Sequence, residues 1–133
     1  MKVFCLGNML HSDDGIAMHL LKDLRKLNHD FVEVGNSVSC IKLPDERAVF
    51  IDAVHSGRHE EGEVLVIHRS SVVGFVDSRT SHDFYLKDVM REKDVLIGIV
   101  VKNTCFGDEL SPGLKSRYDS ILKRVVYCLT KNF

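Results

Sequence analysis

Residues 1–21 read MKVFCLGNMLHSDDGIAMHLL, in which an apolar run, a polar loop and a second apolar run follow one another. The run VFCL at Val3–Leu6 predicts a buried strand that ends at Gly7-Asn8. Beyond the loop, apolar residues recur at helical spacing from Ile16 to Leu27, and Ser12 is the expected N-cap of this helix. The chain therefore begins with a strand, a loop and a helix.

The rest of the chain continues this alternation. Four further segments predict strands: Phe31–Val34, Ala48–Val54, Glu63–His68 and Val95–Val101. Two more segments predict helices: Asp83–Arg91, with Ser81 as its cap, and Leu114–Leu129. Such interleaving, with strands that lack clean apolar and polar alternation, predicts an α/β fold. We expect one three-layer domain over residues 1–133, with a twisted, mostly parallel sheet and helices on both faces. The direction of the strand Glu63–His68 stays open.

Composition restricts the classes of partner. The 133 residues are 44% hydrophobic and 28% charged, and their formal net charge of -1 lacks the basic excess typical of nucleic-acid binding. No apolar run is long enough to cross a bilayer, and no signal peptide is recognisable. The four cysteines form no C-x-x-C pair. We expect a cytoplasmic protein with reduced thiols, no nucleic-acid or membrane partner and, without a heptad stripe, a monomeric state.

Three polar residues are expected at one edge of the sheet. Asp14 follows the first strand, Asp52 ends the strand Ala48–Val54, and His82 begins the helix after the strand Glu63–His68. Ligands of open α/β sheets bind outside the carboxyl ends of the strands. Two carboxylates and an imidazole suit a divalent metal ion and leave positions open for water or substrate.

Each of these residues also has a structural interpretation. The adjacent acids Asp13 and Asp14 would complement a helix dipole, worth roughly 0.3–1 kcal/mol each. A lone histidine such as His82 is more often a surface or capping residue. Asp52 is harder to explain in this way, because a carboxylate that ends a buried strand is costly unless it is paired or solvated. Four other histidines near the same loops are alternative ligands: His11, His55, His59 and His68.

Short motifs along nearly the whole chain resemble those of the hydrogenase maturation endopeptidases. They are LGNMLHSDDGIA, then FIDAV, then a G-x-x-x-x-G turn that leads into VLVI, then SH before a helix and LSP before the last helix. The resemblance implies an endopeptidase that removes the C-terminal extension of a nickel–iron hydrogenase large-subunit precursor after nickel has been inserted. It also implies that Asp14, Asp52 and His82 contact the nickel, which the precursor supplies and for which other divalent metals can substitute.

The chain departs from the family pattern at three places. Cys5 stands where the G-x-G-N motif has its first glycine, and Asp14 stands where many members have glutamate. The loop VGNSVSCIKLPDE, residues 34–46, has a single glycine, whereas the family has a glycine-rich stretch that helps to recognise the precursor. These departures indicate a divergent member. Asp13 and Asp52 are both candidates for the general base, and the sequence does not decide between them.

Two other classes of function fit part of the pattern. Asp13, Asp14, Asp52 and Lys102 imitate the acid pair, the phosphoacceptor and the lysine of a receiver domain. The acids lie several residues beyond Leu6, however, and no proline follows the lysine, which makes this match partial. The other class is a protein of the same fold that recognises a metal-loaded partner without cutting it.

Overall fold

Five strands form one sheet in the computed structural model, which describes residues 1–36, 41–75 and 86–131. They are β1 (Lys2–Leu6), β2 (Asp30–Gly35), β3 (Ala48–Val54), β4 (Val64–His68) and β5 (Val95–Val100). Their order is β2-β1-β3-β5-β4. All neighbours pair in parallel except β4, which runs antiparallel to β5. The predicted α/β fold with a mostly parallel sheet is confirmed, and the direction of β4 is now defined.

The inner strands are buried along their whole length. Every residue of β3 and of β5 is buried, whereas the edge strands β2 and β4 consist of half-buried and exposed positions, apart from one buried residue in β4. This difference follows from the sequence, because AVFIDAV and VLIGIV are almost continuously apolar and suit strands that are covered on both faces. A polar side chain within β3 is therefore an exception that needs an explanation.

Helical segments cover both faces of the sheet, as predicted. Helices α1 (Ile16–Leu24) and α3 (Tyr118–Lys131) pack on one face, in a cluster with the short helix α2 (Pro112–Ser116). The other face carries Phe4 and Phe50, which pack with residues from 86 to 90, of which 86–89 are helical. None of the helices within the described ranges is both long and apolar enough to cross a bilayer.

Two helix predictions need correction or restriction. The single helix predicted over Leu114–Leu129 is two helices, because the amide of Arg117 donates to the carbonyl of Leu114 and ends α2 with a tight turn. The predicted helix Asp83–Arg91 begins outside the described residues, as does its proposed cap Ser81.

A buried ion pair fixes the amino end of the sheet. Asp94, just before β5, is fully buried and accepts hydrogen bonds from the amide of Ala48 at 2.8 Å and from the Arg91 guanidinium at 3.0 Å. Arg91 also donates to the carbonyls of Pro44 and Glu46. Burial alone would raise the pKa of Asp94, but the hydrogen bonds and the Arg91 charge outweigh it and lower that pKa. The pair therefore joins the starts of β3 and β5.

Candidate functional site

The turn Ser12–Gly15 connects the loop after β1 to α1 and carries both adjacent acids. Ser12 has a φ of 48°, and its hydroxyl donates to the carbonyl of Glu109 at 2.9 Å. The prediction that Ser12 caps α1 is therefore wrong. Gly15 occupies the N-cap position of that helix, and no side chain caps it. The turn is held by the loop after β5 instead.

Asp13 forms hydrogen bonds with the N-cap residue of α2. Its Oδ2 accepts the hydroxyl proton of Ser111 at 2.6 Å, and its Oδ1 accepts the Ser111 amide at 2.7 Å. Ser111 is itself the N-cap of α2 and accepts from the amide of Leu114. Asp13 is 0% exposed. The first of the two acids is thus an anchor between the turn and the start of α2.

Asp14, the second acid, turns toward the loop after β1. Its Oδ2 accepts the amide of Asn8 at 3.0 Å, and the residue is buried. Gly7 makes this approach possible, since it has a φ of 140° and a Cβ there would lie 2.3 Å from the carbonyl oxygen of Asp14. The Gly-Asn pair of the motif therefore has a physical role in holding the Asp14 carboxylate.

Asp52 lies in β3 at the level where β1 ends. The last pair between β1 and β3 joins Cys5 to Ile51, so Asp52 lies one position further toward the carboxyl edge. It is 1% exposed, and its Oδ1 accepts the amide of Ala53 at 2.8 Å. The turn Ser12–Gly15 packs against β3. The expectation that Asp14 and Asp52 share the carboxyl edge is therefore met by the topology.

The third predicted ligand, His82, lies outside the described residues. Among the residues that are described, no three histidine, cysteine or acidic side chains come together as a set that could hold a metal ion. A complete set at this edge would thus need a donor from elsewhere in the chain or from a partner. The assignment of Asp14, Asp52 and His82 to one metal site stays a prediction.

The alternative histidine ligands separate into two groups. His68 pairs with Val95 at the amino end of β5, so it lies at the opposite edge of the sheet from Asp52. His11 lies at the carboxyl edge, where its Nδ1 is 3.3 Å from the carbonyl oxygen of Thr104. The remaining two histidines, His55 and His59, belong to the segment that leaves β3.

This segment and the end of the Arg69–Phe75 turn line a cavity of about 370 Å³ that is open to solvent on one side. Its lining consists of His55, Ser56, Gly57, Arg58, His59, Gly74 and Phe75. Sequence analysis noted the two histidines but missed the cavity. The signal was the run HSGRH at 55–59, which places two imidazoles and a guanidinium directly after a strand that ends at the carboxyl edge.

The receiver interpretation loses its support in this geometry. Receivers have the doubly wound strand order 2-1-3-4-5, whereas here β5 lies between β3 and an antiparallel β4. Lys102, which would imitate the receiver lysine, donates from its Nζ to the carbonyl oxygen of Ser56 at 2.6 Å. The similarity of Asp13, Asp14, Asp52 and Lys102 to a receiver site is therefore confined to residue types.

Solved structures of hydrogenase maturation proteases have a fold similar to that of this chain. The nickel–iron hydrogenase maturation protease HybD from Thermococcus kodakarensis is 24% identical, with a TM-score of 0.71 over 98% of this chain and 100% of that one. The hydrogenase maturating endopeptidase HybD from E. coli is 18% identical, with a TM-score of 0.76 over 99% and 94%. The E. coli endopeptidase HycI is 20% identical, with a TM-score of 0.74 over 97% and 91%.

No protein-family model matches the chain, and no curated protein matches it significantly. The similarity thus lies in the three-dimensional arrangement and in short motifs, at identities of 24% and below for the structures named. The fold expected from the sequence resemblance is confirmed. An activity has to be argued separately, from the chemistry of the side chains at the carboxyl edge of the sheet.

Proposed function

We propose that this protein is an endopeptidase that removes the C-terminal extension of a nickel–iron hydrogenase large-subunit precursor after nickel insertion. The observation that carries the proposal is the pair of buried carboxylates, Asp14 and Asp52, at the carboxyl edge of a sheet with the maturation-protease fold. A buried carboxylate is costly to maintain, so two of them at a ligand-binding edge favour a chemical role.

In this proposal nickel is part of the substrate. The precursor carries the ion to the edge, where Asp14, Asp52 and His82 bind it. Carboxylate and imidazole donors are accepted by Ni²⁺ and by related divalent ions. Docking of the ion reports that insertion is complete and positions the scissile bond beside the two carboxylates, and the ion polarises the scissile carbonyl or a water.

The chain's own groups have separate roles in the proposed cleavage. The amide of Asn8 holds the Asp14 carboxylate at the edge. Both oxygens of Asp13 accept from Ser111, so this acid serves as an anchor and we assign the general-base role to Asp52. Asp52 would accept a proton from the attacking water as the water oxygen bonds to the scissile carbonyl carbon. It would then give that proton to the leaving nitrogen as the carbon–nitrogen bond breaks, which releases a carboxyl group and an amine. We further propose that the protein works in the cytoplasm as a monomer.

The test is co-expression of this protein with hydrogenase large-subunit precursors, followed by intact-mass measurement of the precursor. We expect a defined loss of mass from the precursor's C-terminus, and only when nickel is supplied. A precursor that keeps its full mass with nickel present would contradict the peptidase proposal. A full-length precursor that co-purifies with this protein would instead support recognition without cleavage.

A further inference from the structure

The cavity after β3 differs from the carboxylate site in the kind of group that lines it. Among the described residues, the charged or ionisable side chains that line it are Arg58, His55 and His59, and no described carboxylate belongs to the lining. His55 follows directly on β3, three residues beyond Asp52 in the chain, so the cavity adjoins the carboxyl edge. A concave site with cationic and hydrogen-bond-donating groups selects an anion.

A hydrogen bond links the imidazole of His59 to the hydroxyl of Ser56. The amide of Arg58 donates to the hydroxyl of Ser56 at 3.2 Å, so this hydroxyl has its own proton free to donate. Its partner is the Nδ1 of His59, at 2.7 Å. When Nδ1 accepts, the neutral imidazole carries its proton on Nε2 and is a donor there. In this tautomer His59 presents an Nε2–H donor, and in the other its Nδ1 donates to the second lone pair of the Ser56 hydroxyl.

Positively charged side chains add to the hydrogen-bond donors of the cavity. The ammonium of Lys102 donates to the carbonyl oxygen of Ser56 and places a cation beside the segment. Arg58 is exposed, and no carboxylate of the described residues forms an ion pair with it. A guanidinium presents a planar fork of donors that matches the two oxygens of a carboxylate. The ring of Phe75 lies near His59, with ring centroids 6.0 Å apart, and gives the cavity an apolar wall.

We propose that this cavity is an anion-binding subsite, which binds a carboxylate group of the precursor's C-terminal extension. The anion preference follows from the lining itself, whereas the identity of the ligand rests on the proposed function. An apolar wall beside a guanidinium fits a peptide that bears a carboxylate better than it fits a free inorganic ion. The subsite would align the extension beside Asp52 by its charge.

The first experiment measures anion binding without any proteolysis. The whole protein is titrated with an acetylated tri-alanine peptide that ends in a carboxylate, with the same peptide ending in a carboxamide, and with inorganic phosphate. Amide chemical shifts of the segment 55–59 report occupancy. We expect the carboxylate peptide to shift these signals and the carboxamide to leave them unchanged. Arg58→Gln should weaken carboxylate binding at least about tenfold, and Arg25→Gln should not.

Arg25 is a matched control because it is exposed and ends α1, away from the carboxyl edge. Equal binding of the carboxylate and carboxamide peptides would overturn the proposal, as would an unchanged affinity in Arg58→Gln. Phosphate binding as tight as that of the carboxylate peptide would overturn the assignment to a peptide carboxylate and identify a site for free inorganic anions.

A second experiment separates this proposal from the peptidase proposal. Processing of the nickel-loaded precursor is followed with the wild-type protein and with Arg58→Gln. We expect Arg58→Gln to raise KM more than it lowers kcat, because the residue binds the extension and does not touch the reacting bond. Carboxylate binding without any cleavage by the wild type would contradict the peptidase alone. Cleavage with an unchanged KM in Arg58→Gln would overturn the subsite alone.

Discussion

The two ends of the sheet hold buried aspartates whose hydrogen bonds, as described above, come from different groups. At the amino end, Asp94 faces the Arg91 guanidinium, so its charge is neutralised by a cation of the same chain. At the carboxyl end, Asp14 and Asp52 accept backbone amides from Asn8 and Ala53. The residue type and the burial are the same at both ends. The difference teaches that burial alone does not separate a structural acid from a candidate functional one, so the groups that contact each carboxylate have to be compared.

The strongest test of this contrast is Asp52→Asn. The amide keeps the shape of the side chain but cannot take a proton from water, so processing should fall by at least about a hundredfold. The fold should persist. Intact-mass analysis of co-expressed precursor gives the first quantity, and urea unfolding gives the second.

Asp30→Asn is the matched control for that variant. Asp30 is exposed and lies opposite Lys2 in the register of β1 and β2, at the amino end of the sheet. Loss of its charge should leave both the processing and the stability unchanged. Complete processing by Asp52→Asn would remove Asp52 from the mechanism. The acids at the amino and carboxyl ends of the sheet would then no longer differ in function.

At the amino end of the sheet, Asp94→Asn should lower the stability of the fold and leave processing unchanged, the reverse of what is expected for Asp52→Asn. The substitution leaves the Arg91 guanidinium without its counter-charge, but this side chain is 32% exposed and can be hydrated. The expected loss of unfolding free energy is therefore about 2–4 kcal/mol, below the upper values for a fully buried pair. Processing by the folded fraction should not change. Denaturant titration measures the loss, with Asp88→Asn as the control, because Asp88 is exposed and lies in the neighbouring helical segment. A loss below about 1 kcal/mol would show that the pair is not needed for stability.

The glycine after β1 offers a test of how the candidate site is built. Gly7→Ala brings a Cβ within 2.3 Å of the Asp14 carbonyl oxygen at a φ of 140°, and should cost about 2–4 kcal/mol of stability as well as lower processing. Gly107 also has a positive φ, of 156°, but a Cβ there meets nothing within 4 Å. Gly107→Ala should therefore show the smaller loss. Equal losses would mean that backbone strain, not the approach to Asp14, makes Gly7 necessary.

The smallest expected effect is a pH dependence that comes from the amino end. The pKa of Asp94 is lowered on folding, so its contribution to stability is fully present above the unfolded pKa, near 3.8, and is lost as the pH falls through the folded value. The difference in urea midpoint between wild type and Asp94→Asn should therefore be constant at neutral pH and shrink in acid below that value. A difference that grows in acid would contradict the lowered pKa.

Periodicity and the edge rule were enough to predict the strands, the α/β class and the edge shared by Asp14 and Asp52. These depend on local apolar pattern and on a general property of parallel sheets. The role of Asp13 could not be predicted, because its partner Ser111 lies 98 residues away in the sequence. Ser12 failed as a cap because tertiary hydrogen bonds hold it at a positive φ. His82 stays a prediction because it lies outside the described residues.

The hydrogen bonds between Asp13 and Ser111 have a consequence for the order of folding. The segment that presents Asp14 is made among the first residues of the chain, but its anchor is made near the end. During synthesis, β1 and α1 are available long before Ser111 leaves the ribosome. The carboxyl edge therefore cannot take its final shape until most of the polypeptide has been translated.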